Sequence, residues 1–243
     1  MTFALIGFAA QLVDGALGMA FGVISSTILI SIGVPPAAAS AGVHTAETFT
    51  TGVSGISHIA HRNVDWWLFV RIVLPGMVGG VLGAYLLAEI LTADSAKPWV
   101  LAYLSALGLY LFYRGIMHRH TERRPRVIAP LGLVGGFLDA AGGGGWGPIV
   151  TSNLLVQGSN PRKTIGTVNT AEFFITLTIS ATFIAALGWE VFTVATVGLL
   201  IGGVLAAPFG AWIAKRINAD TLLTFVGALL SLTSLYGLYR ALV

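Results

Sequence analysis

Four consecutive glycines followed by Trp146, Gly147 and Pro148 interrupt a long apolar segment that extends from about residue 127 to 156. A continuous helix over these roughly thirty residues would be about 45 Å long, whereas the hydrocarbon core of a bilayer is about 30 Å thick. Glycine in a helix interior costs about 1 kcal/mol, and Pro148 cannot donate a backbone hydrogen bond. We therefore predict two half-helices with a break at membrane depth. Irregular backbone persists there only where protein or a water-filled cavity supplies its partners, so the break is a candidate site.

The composition supports a membrane location for this break. Of the 243 residues, 56% are hydrophobic and 9% are charged, and the mean hydropathy is +0.86. Soluble domains have about 25% charged residues. The chain contains no Cys, which excludes disulfides and thiolate metal sites, and its net charge of +3 gives no reason to expect a nucleic-acid partner. We predict an all-α integral membrane protein that is surrounded by the lipid bilayer and has no cofactor.

The chain is internally duplicated. Its eight apolar segments lie at about 3–32, 37–60, 66–91, 98–117, 127–156, 162–187, 190–214 and 220–242. The first and fifth segments begin two halves that align without a gap at an offset of 125, and 14 of the 38 positions from 14 to 51 are identical to their counterparts. This is far above chance and indicates a true repeat. We divide the chain into a first repeat, 1–117, a basic cytoplasmic loop, 118–126, and a second repeat, 127–243.

The distribution of basic residues predicts the topology, because Lys and Arg in short loops collect on the cytoplasmic side. The central arginines are Arg114, Arg119, Arg123, Arg124 and Arg126. If the fifth segment returns to its own side as a re-entrant hairpin, Arg162-Lys163 and Lys215-Arg216 become cytoplasmic as well. Each repeat then consists of a broken re-entrant helical hairpin plus three transmembrane helices. Three crossings are an odd number, so the two repeats are expected to be inverted.

Asp14 and Asp139 occupy one repeat position just before the two predicted breaks. A carboxylate at the centre of a span costs about 2.5–3.5 kcal/mol, so its presence in both repeats requires a reason. One interpretation is ion or proton coupling. The other is that each carboxylate accepts hydrogen bonds from backbone N–H groups that the break leaves free, or caps the following half-helix. The sequence does not decide between them.

Two related tetrapeptides occupy the same place in the second and sixth segments. They are His44-Thr45-Ala46-Glu47 and Asn169-Thr170-Ala171-Glu172. The i, i+3 spacing puts a donor and a carboxyl group on one helix face in each repeat. Ionisable groups inside a membrane usually face the bundle interior, which favours a substrate or proton pathway with Glu47 and Glu172 as coupling groups. The alternative is that these residues hydrogen-bond helices together.

Hydroxyl and amide side chains follow each break, and we expect them to begin the second half-helices. They are Ser25, Ser26, Thr27, Thr151, Ser152 and Asn153. A helix N-terminus binds anions, so two such ends would form a site for a tetrahedral anion or a carboxylate near the midplane. Trp146 and Phe21 would be its apolar walls, and Gly144, Gly145 and Gly147 would contribute further contacts. The alternative is that small residues here only let helices approach closely, which also explains the glycines of the third and seventh segments.

No motif predicts metal or cofactor chemistry. Gly142, Gly144 and Gly147 match G-x-G-x-x-G, but no βαβ unit surrounds them. His58 and His61 are three residues apart without an HExxH pattern, so we expect no metal site. No nucleophile, base and orienting group occur together, so an intramembrane enzyme is a remote alternative to a transport protein.

The chain resembles the TauE/SafE family of sulfite and organosulfonate permeases over essentially its whole length. Besides the duplication, the resemblance rests on Gly142 to Pro148 followed by Thr151-Ser152, and on Gly158-x-x-Pro161-Arg162-x-x-x-Gly166-Thr167-x-Asn169-x-x-Glu172. It implies a multi-pass carrier in the cell inner membrane for a small sulfur-containing anion such as sulfite or sulfoacetate. The first repeat departs from the pattern, since it has Leu17-Gly18-Met19-Ala20 for the glycine run and His44 for Asn169.

We therefore interpret the chain as a secondary transporter in which two inverted repeats rock around a midplane anion site. Protonation of Glu47, Glu172 or His44 is the expected coupling event, with Asp14 and Asp139 as further coupling candidates. An anion channel built from the same half-helices is the main alternative. The exact anion, the direction of transport and the oligomeric state stay open, with a homodimer among the alternatives.

The re-entrant interpretation makes a topology prediction. A cysteine that replaces Asn160, between the fifth and sixth segments, should react with a membrane-impermeant thiol reagent only from the cytoplasmic side, because the hairpin returns the chain to the side of the basic loop. Labelling from the outer side would contradict both the hairpin and the inversion of the repeats.

Overall fold

The structure, a computed structural model, describes residues 1–17, 19–117, 124–189, 194–214 and 219–242. The described part is helical and contains no strand. Several residues of the sequence predictions lie outside the described part, namely Gly18, Arg119, Arg123, Lys215 and Arg216.

The helices of the described ranges follow the predicted segments closely. In the first half they are α1 (Thr2–Leu17), α2 (Phe21–Ser31), α3 (Pro36–Ala60), α4 (Trp66–Tyr85), which continues as a π-helical turn (Leu86–Ile90), and α5 (Ala93–Ile116). In the second half they are α6 (Ala129–Gly142), a π-helical turn (Gly147–Thr151) that leads into α7 (Ser152–Val156), α8 (Pro161–Leu187), α9 (Val194–Ala214) and α10 (Ala219–Leu242).

The glycine run breaks the fifth segment as predicted. Gly143, Gly144 and Gly145 have φ angles of 75°, 137° and 147°, which only glycine adopts at little cost. The helix resumes at Gly147, and Pro148 stands in its first turn, where a backbone N–H is not needed. The first segment breaks at the equivalent place, where Ala20 has a φ of 102°. Both half-helix pairs therefore exist.

Helices of one repeat pack mainly against helices of the other. The closest pairs are α1 with α9, α4 with α6, α3 with α8 and α5 with α10. At the repeat offset α1 corresponds to α6 and α4 to α9, so the α1–α9 and α4–α6 pairs are equivalent. The α3–α8 and α5–α10 pairs each join a helix to its own counterpart in the other repeat. The two halves are interlocked rather than side by side.

Glycines make this interlocking possible. A Cβ at Gly79 or Gly83 of α4 would collide with the backbone carbonyls of Leu133 and Phe137 in α6. A Cβ at Gly202 of α9 would collide with the backbone of α1 in the same way. The close-approach interpretation of these glycines is confirmed.

Three described helices are long and apolar enough to cross a membrane: Trp66–Ile90, Ser95–Ile116 and Lys163–Leu187. The half-helices Thr2–Asp14, Phe21–Ser31 and Ala129–Gly142 are apolar but shorter than a span requires. The outward face of α4 is apolar and more than half exposed at Leu74, Val78 and Leu82, as a lipid-facing surface should be. By contrast, α3 carries many polar residues, and one face of it packs against α8.

Candidate functional site

The two breaks contact each other at the centre of the molecule. Gly144 lies directly on the backbone of Gly22 and Val23, so that a Cβ at Gly144 has no room. A Cβ at Gly22 would lie 3.0 Å from the Gly144 Cα and 3.1 Å from Oε1 of Glu47. The Ser26 hydroxyl donates to the carbonyl of Gly143. The start of α2 is therefore packed onto the glycine break of the other repeat.

Each break is stabilised by its own aspartate. Oδ1 of Asp139 accepts a hydrogen bond from the backbone N–H of Trp146 at 2.8 Å. Oδ1 of Asp14 accepts one from the N–H of Phe21 at 3.3 Å. Both bonds span seven residues and cap the half-helix that follows the break. The capping interpretation of these aspartates is confirmed, and a role in coupling stays a prediction.

Asp139 also forms a buried pair with His44. Nε2 of His44 lies 3.1 Å from Oδ2 of Asp139, and the two side chains are 0% and 3% exposed. Nδ1 lies 2.7 Å from the carbonyl oxygen of Ser40, so this nitrogen must carry a proton. The contact with Oδ2 then needs a second proton, which belongs either to an imidazolium beside a carboxylate or to a protonated carboxyl beside a neutral ring. In both forms the pair as a whole is neutral.

The equivalent pair is absent from the other half of the described structure. The repeat offset would match His44 and Asp139 with Asn169 and Asp14. Instead, Oδ1 of Asn169 accepts from the Ser54 hydroxyl at 3.4 Å, and its Nδ2 donates to the carbonyl of Ile165 at 3.2 Å. Among the residues that the structure describes, Asp14 makes no ion pair. The departure of His44 from the repeat pattern therefore makes the site asymmetric.

Glu47 and Glu172 complete a cluster of four buried or half-buried carboxyl groups. They are 5% and 8% exposed, and Oε2 of Glu47 has no hydrogen-bond partner. Glu172 lies within electrostatic reach of Glu47, Asp14 and Asp139. His44 also lies within electrostatic reach of Glu47 on the same helix, although its hydrogen bond goes to Asp139. One imidazole cannot balance four ionised carboxyl groups, so this cluster must hold protons or cations.

The hydroxyl side chains do not begin the half-helices, and this prediction is wrong. They are Ser25, Ser26, Thr27, Thr151 and Ser152, with the amide of Asn153. The helices resume earlier, at Phe21 and Gly147, because the aspartate caps fix their starts immediately after the break. The hydroxyls consequently lie in the second turn, where the N–H groups are already bonded within the helix.

Three of these hydroxyls are nevertheless unusual. Ser25, Thr27 and Thr151 are fully buried, and their hydroxyl oxygens have no partner among the residues that the structure describes. Buried polar groups are almost always hydrogen-bonded, so each exception indicates a place for water or a ligand. By contrast, Thr45 and Thr170 donate to the carbonyls of Ala41 and Gly166 in their own helices, at 2.8 and 2.7 Å.

The predicted apolar walls are core residues. Trp146 is fully buried and its indole N–H donates to the carbonyl of Val168 at 3.3 Å, and Phe21 is 1% exposed. A Cβ at Gly76 of α4 would collide with the Ile175 side chain and with the Trp146 ring. These buried aromatic side chains pack in the core next to the breaks and hold them in position.

Sequence reasoning missed two residues at the site. The Ser40 hydroxyl donates to the carbonyl of Ala140 at 2.7 Å and supports the His44 ring. The Tyr103 hydroxyl donates to the carbonyl of Gly144 at 3.1 Å, and its ring covers Gly142. The available signals were a serine one turn before His44 and a tyrosine midway along an apolar helix, far from the interfaces where tyrosines collect.

Comparisons with known proteins agree with a membrane location for this site. The family described as "Sulfite exporter TauE/SafE" matches residues 3–237. A Bacillus subtilis (strain 168) protein named "Probable membrane transporter protein YtnM" is 42% identical over 243 residues, which cover 96% of this chain and 81% of that protein. Comparison with solved structures found no significant match.

The His44–Asp139 pair should be detectable as an energetic coupling. His44→Asn and Asp139→Asn should each lower the thermal unfolding midpoint of the detergent-solubilised protein, because each leaves a buried partner unpaired. The amide oxygen in the Asp139→Asn variant would still accept from the Trp146 N–H, so the cap is kept. The loss of unfolding free energy in the double variant should therefore be smaller than the sum of the losses in the two single variants, by about 0.5–3 kcal/mol.

Asp14→Asn is the matched control for this cycle, since it keeps the cap on Phe21 and removes no ion pair. Asp14→Asn should lower the unfolding midpoint less than Asp139→Asn does. Strict additivity of the two single substitutions would contradict the pair.

Proposed function

The chain belongs to the sulfite exporter TauE/SafE family and is a membrane transporter, and on that premise we propose that it moves a small sulfur-containing anion across the cell inner membrane with protons. Sulfite or an organosulfonate such as sulfoacetate is the proposed substrate. The observation that carries this proposal is the contact between the two breaks, where partnerless buried hydroxyls and buried carboxyl groups lie around irregular backbone.

The free hydroxyls support an oxyanion as the substrate. Ser25, Thr27 and Thr151 each have a donor that the protein does not use. A sulfite or sulfonate group has three oxygens that accept hydrogen bonds, and bonds to charged acceptors are worth about 1.5–3 kcal/mol each. We assign these three residues to the substrate site, together with Ser26, Ser152 and the broken backbone from Gly144 to Gly147. The remaining proposed contacts are His44, Thr45, Asn169 and Thr170.

The carboxyl cluster supports coupling to protons. An anion that enters this region is repelled by every carboxylate, and two like charges about 6 Å apart at an effective dielectric constant of about 20 repel by about 3 kcal/mol. One ionised carboxyl would therefore weaken anion binding about a hundredfold. Protonation removes this repulsion, so protons and the anion favour each other's binding and should move in the same direction. Glu47 and Glu172 are the proposed proton carriers, with Asp14, Asp139 and His44 as secondary candidates.

The interlocked arrangement supports alternating access. We propose that α1–α2 and α6–α7 are re-entrant hairpins of two inverted repeats, 1–117 and 127–243, joined by a cytoplasmic loop at 118–126. The equivalence of the α1–α9 and α6–α4 pairs fits a two-fold relation between the halves. Broken helices that meet between inverted repeats are typical of secondary carriers, where the repeats move around a fixed midplane site.

Transport by purified protein in proteoliposomes tests this function. An inward proton gradient should drive accumulation of sulfite or sulfoacetate by the wild type. Glu47→Gln or Glu172→Gln should abolish gradient-driven accumulation while anion exchange continues, because glutamine resembles the protonated acid but cannot change charge.

Glu89→Gln, at an exposed carboxyl group, is the matched control and should transport normally. Accumulation that persists in the double Glu47→Gln, Glu172→Gln variant would contradict proton coupling through these residues. Flux far above carrier turnover and independent of the gradient would instead indicate a channel.

Replacement of Thr151 by Val separates binding from packing. The Thr151 hydroxyl has no protein partner, so Thr151→Val should leave the unfolding midpoint unchanged or slightly higher while apparent anion affinity falls roughly tenfold or more. Thr178→Val, whose hydroxyl donates to the Phe174 carbonyl in its own helix, is the control for affinity. Unchanged affinity in Thr151→Val would remove this hydroxyl from the substrate site.

A further inference from the structure

One face of α5 carries three polar side chains in a row. Tyr103, Tyr110 and Arg114 are spaced by seven and four residues, which puts them in one row along the helix. From Arg114 to Tyr103 the helix rises about 16 Å, or about half the thickness of the hydrocarbon core. The row therefore extends from the end of α5 to the centre of the bundle.

The inner end of this row closes on the glycine break. Tyr103 donates to the Gly144 carbonyl at 3.1 Å, and its ring lies against Gly142 so closely that a Cβ there would overlap it. Its hydroxyl occupies the space next to Gly145 in the same way. Tyr103 thus covers the irregular backbone from the side of α5.

The middle of the row reaches the hydroxyl cluster. The Tyr110 hydroxyl lies close to the Ser152 side chain. Ser152 is 3% exposed and adjoins Thr151, whose hydroxyl is free. Tyr110 therefore lies directly beside the proposed substrate contacts.

The outer end of the row is a guanidinium with unused hydrogen-bonding capacity. Arg114 lies within electrostatic reach of Tyr110, and its Nε is buried without a partner. It belongs to the last turn of α5, which ends at Ile116 just before the basic loop. A buried N–H on a permanent cation, with no carboxylate in contact among the described residues, is suited to an oxyanion.

The other repeat carries only the outer part of this row. At an offset of 126, Tyr236 and Arg240 of α10 correspond to Tyr110 and Arg114, but Leu229 stands in the place of Tyr103. The complete row is therefore present in α5, whose end lies on the side that we assign to the cytoplasm, and is absent from the sequence of α10.

We propose that the Arg114–Tyr110–Tyr103 face of α5 is the cytoplasmic access route of the anion, with Arg114 as a binding residue at its mouth and Tyr103 as its inner gate. Arg114 draws an oxyanion toward Ser152, and Tyr103 must leave Gly144 before the anion reaches the hydroxyls of α2. This inference rests on the proposed function, because it takes an anion as the substrate, the hydroxyls as its site and the end of α5 as cytoplasmic.

The absence of cysteine from the chain allows a direct test. Ser152→Cys in the full-length chain provides a single thiol halfway along the route. In inverted membrane vesicles this thiol should react faster with a sulfonate-bearing methanethiosulfonate reagent than with its quaternary ammonium analogue. Arg114→Gln should lower that rate ratio about tenfold, because one positive charge no longer attracts one reagent and repels the other. Arg114→Lys keeps the charge and should retain most of the ratio.

Arg126→Gln is the matched control, since it removes an exposed positive charge from the same end of the molecule and should change the ratio little. Labelling of the thiol only from the outer side, or a ratio that is equal in Arg114→Gln and the parent, would overturn the route. Since labelling does not require transport, a failure to move sulfite would contradict the proposed substrate without affecting this result.

The gate is tested with a single thiol beyond it, in Ser25→Cys. In this background Tyr103→Phe removes only the hydroxyl bond to Gly144 and should raise the rates at which both reagents label the thiol from the cytoplasmic side by a similar factor of several-fold. Unchanged rates for both reagents would overturn the assignment of Tyr103 as the gate.

Discussion

Backbone polar groups inside a membrane must find partners within the protein, and the rest of this structure depends on how the two breaks meet that requirement. At each break an aspartate seven residues earlier accepts a hydrogen bond from the first free N–H of the next half-helix. This solution brings negative charge to the centre of the bundle. His44 compensates for it at Asp139, and the remaining carboxyl groups form a cluster with Glu172 within electrostatic reach of Glu47 and Asp14. The aspartates that cap the broken backbone thereby also provide negative charge on which the proposed transport relies.

The duplicated halves determine how the helices around the site are arranged. The polar side chains that distinguish the two breaks are residues that differ between the halves. The equivalent helix pairs and the two aspartate caps follow the repeat. His44 and Tyr103 do not, since their counterparts are Asn169 and an apolar residue of α10. One break is consequently paired with a histidine and covered by a tyrosine, while the other is not. Unequal halves give a carrier distinguishable inner and outer states, which two identical halves would lack.

Local features of this fold could be predicted from the sequence, whereas long-range partners could not. The break at the glycine run and the segment boundaries depend on neighbouring residues, and the sequence predicted them. Capping of each break by its own aspartate was one of the two interpretations that the sequence left open. The sequence prediction placed the start of each half-helix at the hydroxyls, about one turn too late in the chain. The start is fixed by the aspartate cap and the φ angles of the break, not by the first polar residue. The partners of His44 and Tyr103 are 95 and 41 residues away, and no spacing rule connects them. Inversion of the repeats stays a prediction.

Interlocking also has a consequence for how the chain is made. The glycine-lined partner of α1 is α9, which begins 177 residues after α1 ends, from residue 17 to residue 194. At a synthesis rate of about 5–20 residues per second, α1 waits about 10 to 35 s for that surface. During this interval the nascent chain exposes two half-helices that are each too short to span the bilayer and a break whose polar backbone is uncovered. Biogenesis of such a fold therefore depends on a protected site beside the ribosome exit, where an unfinished first half can be sheltered until the second half arrives.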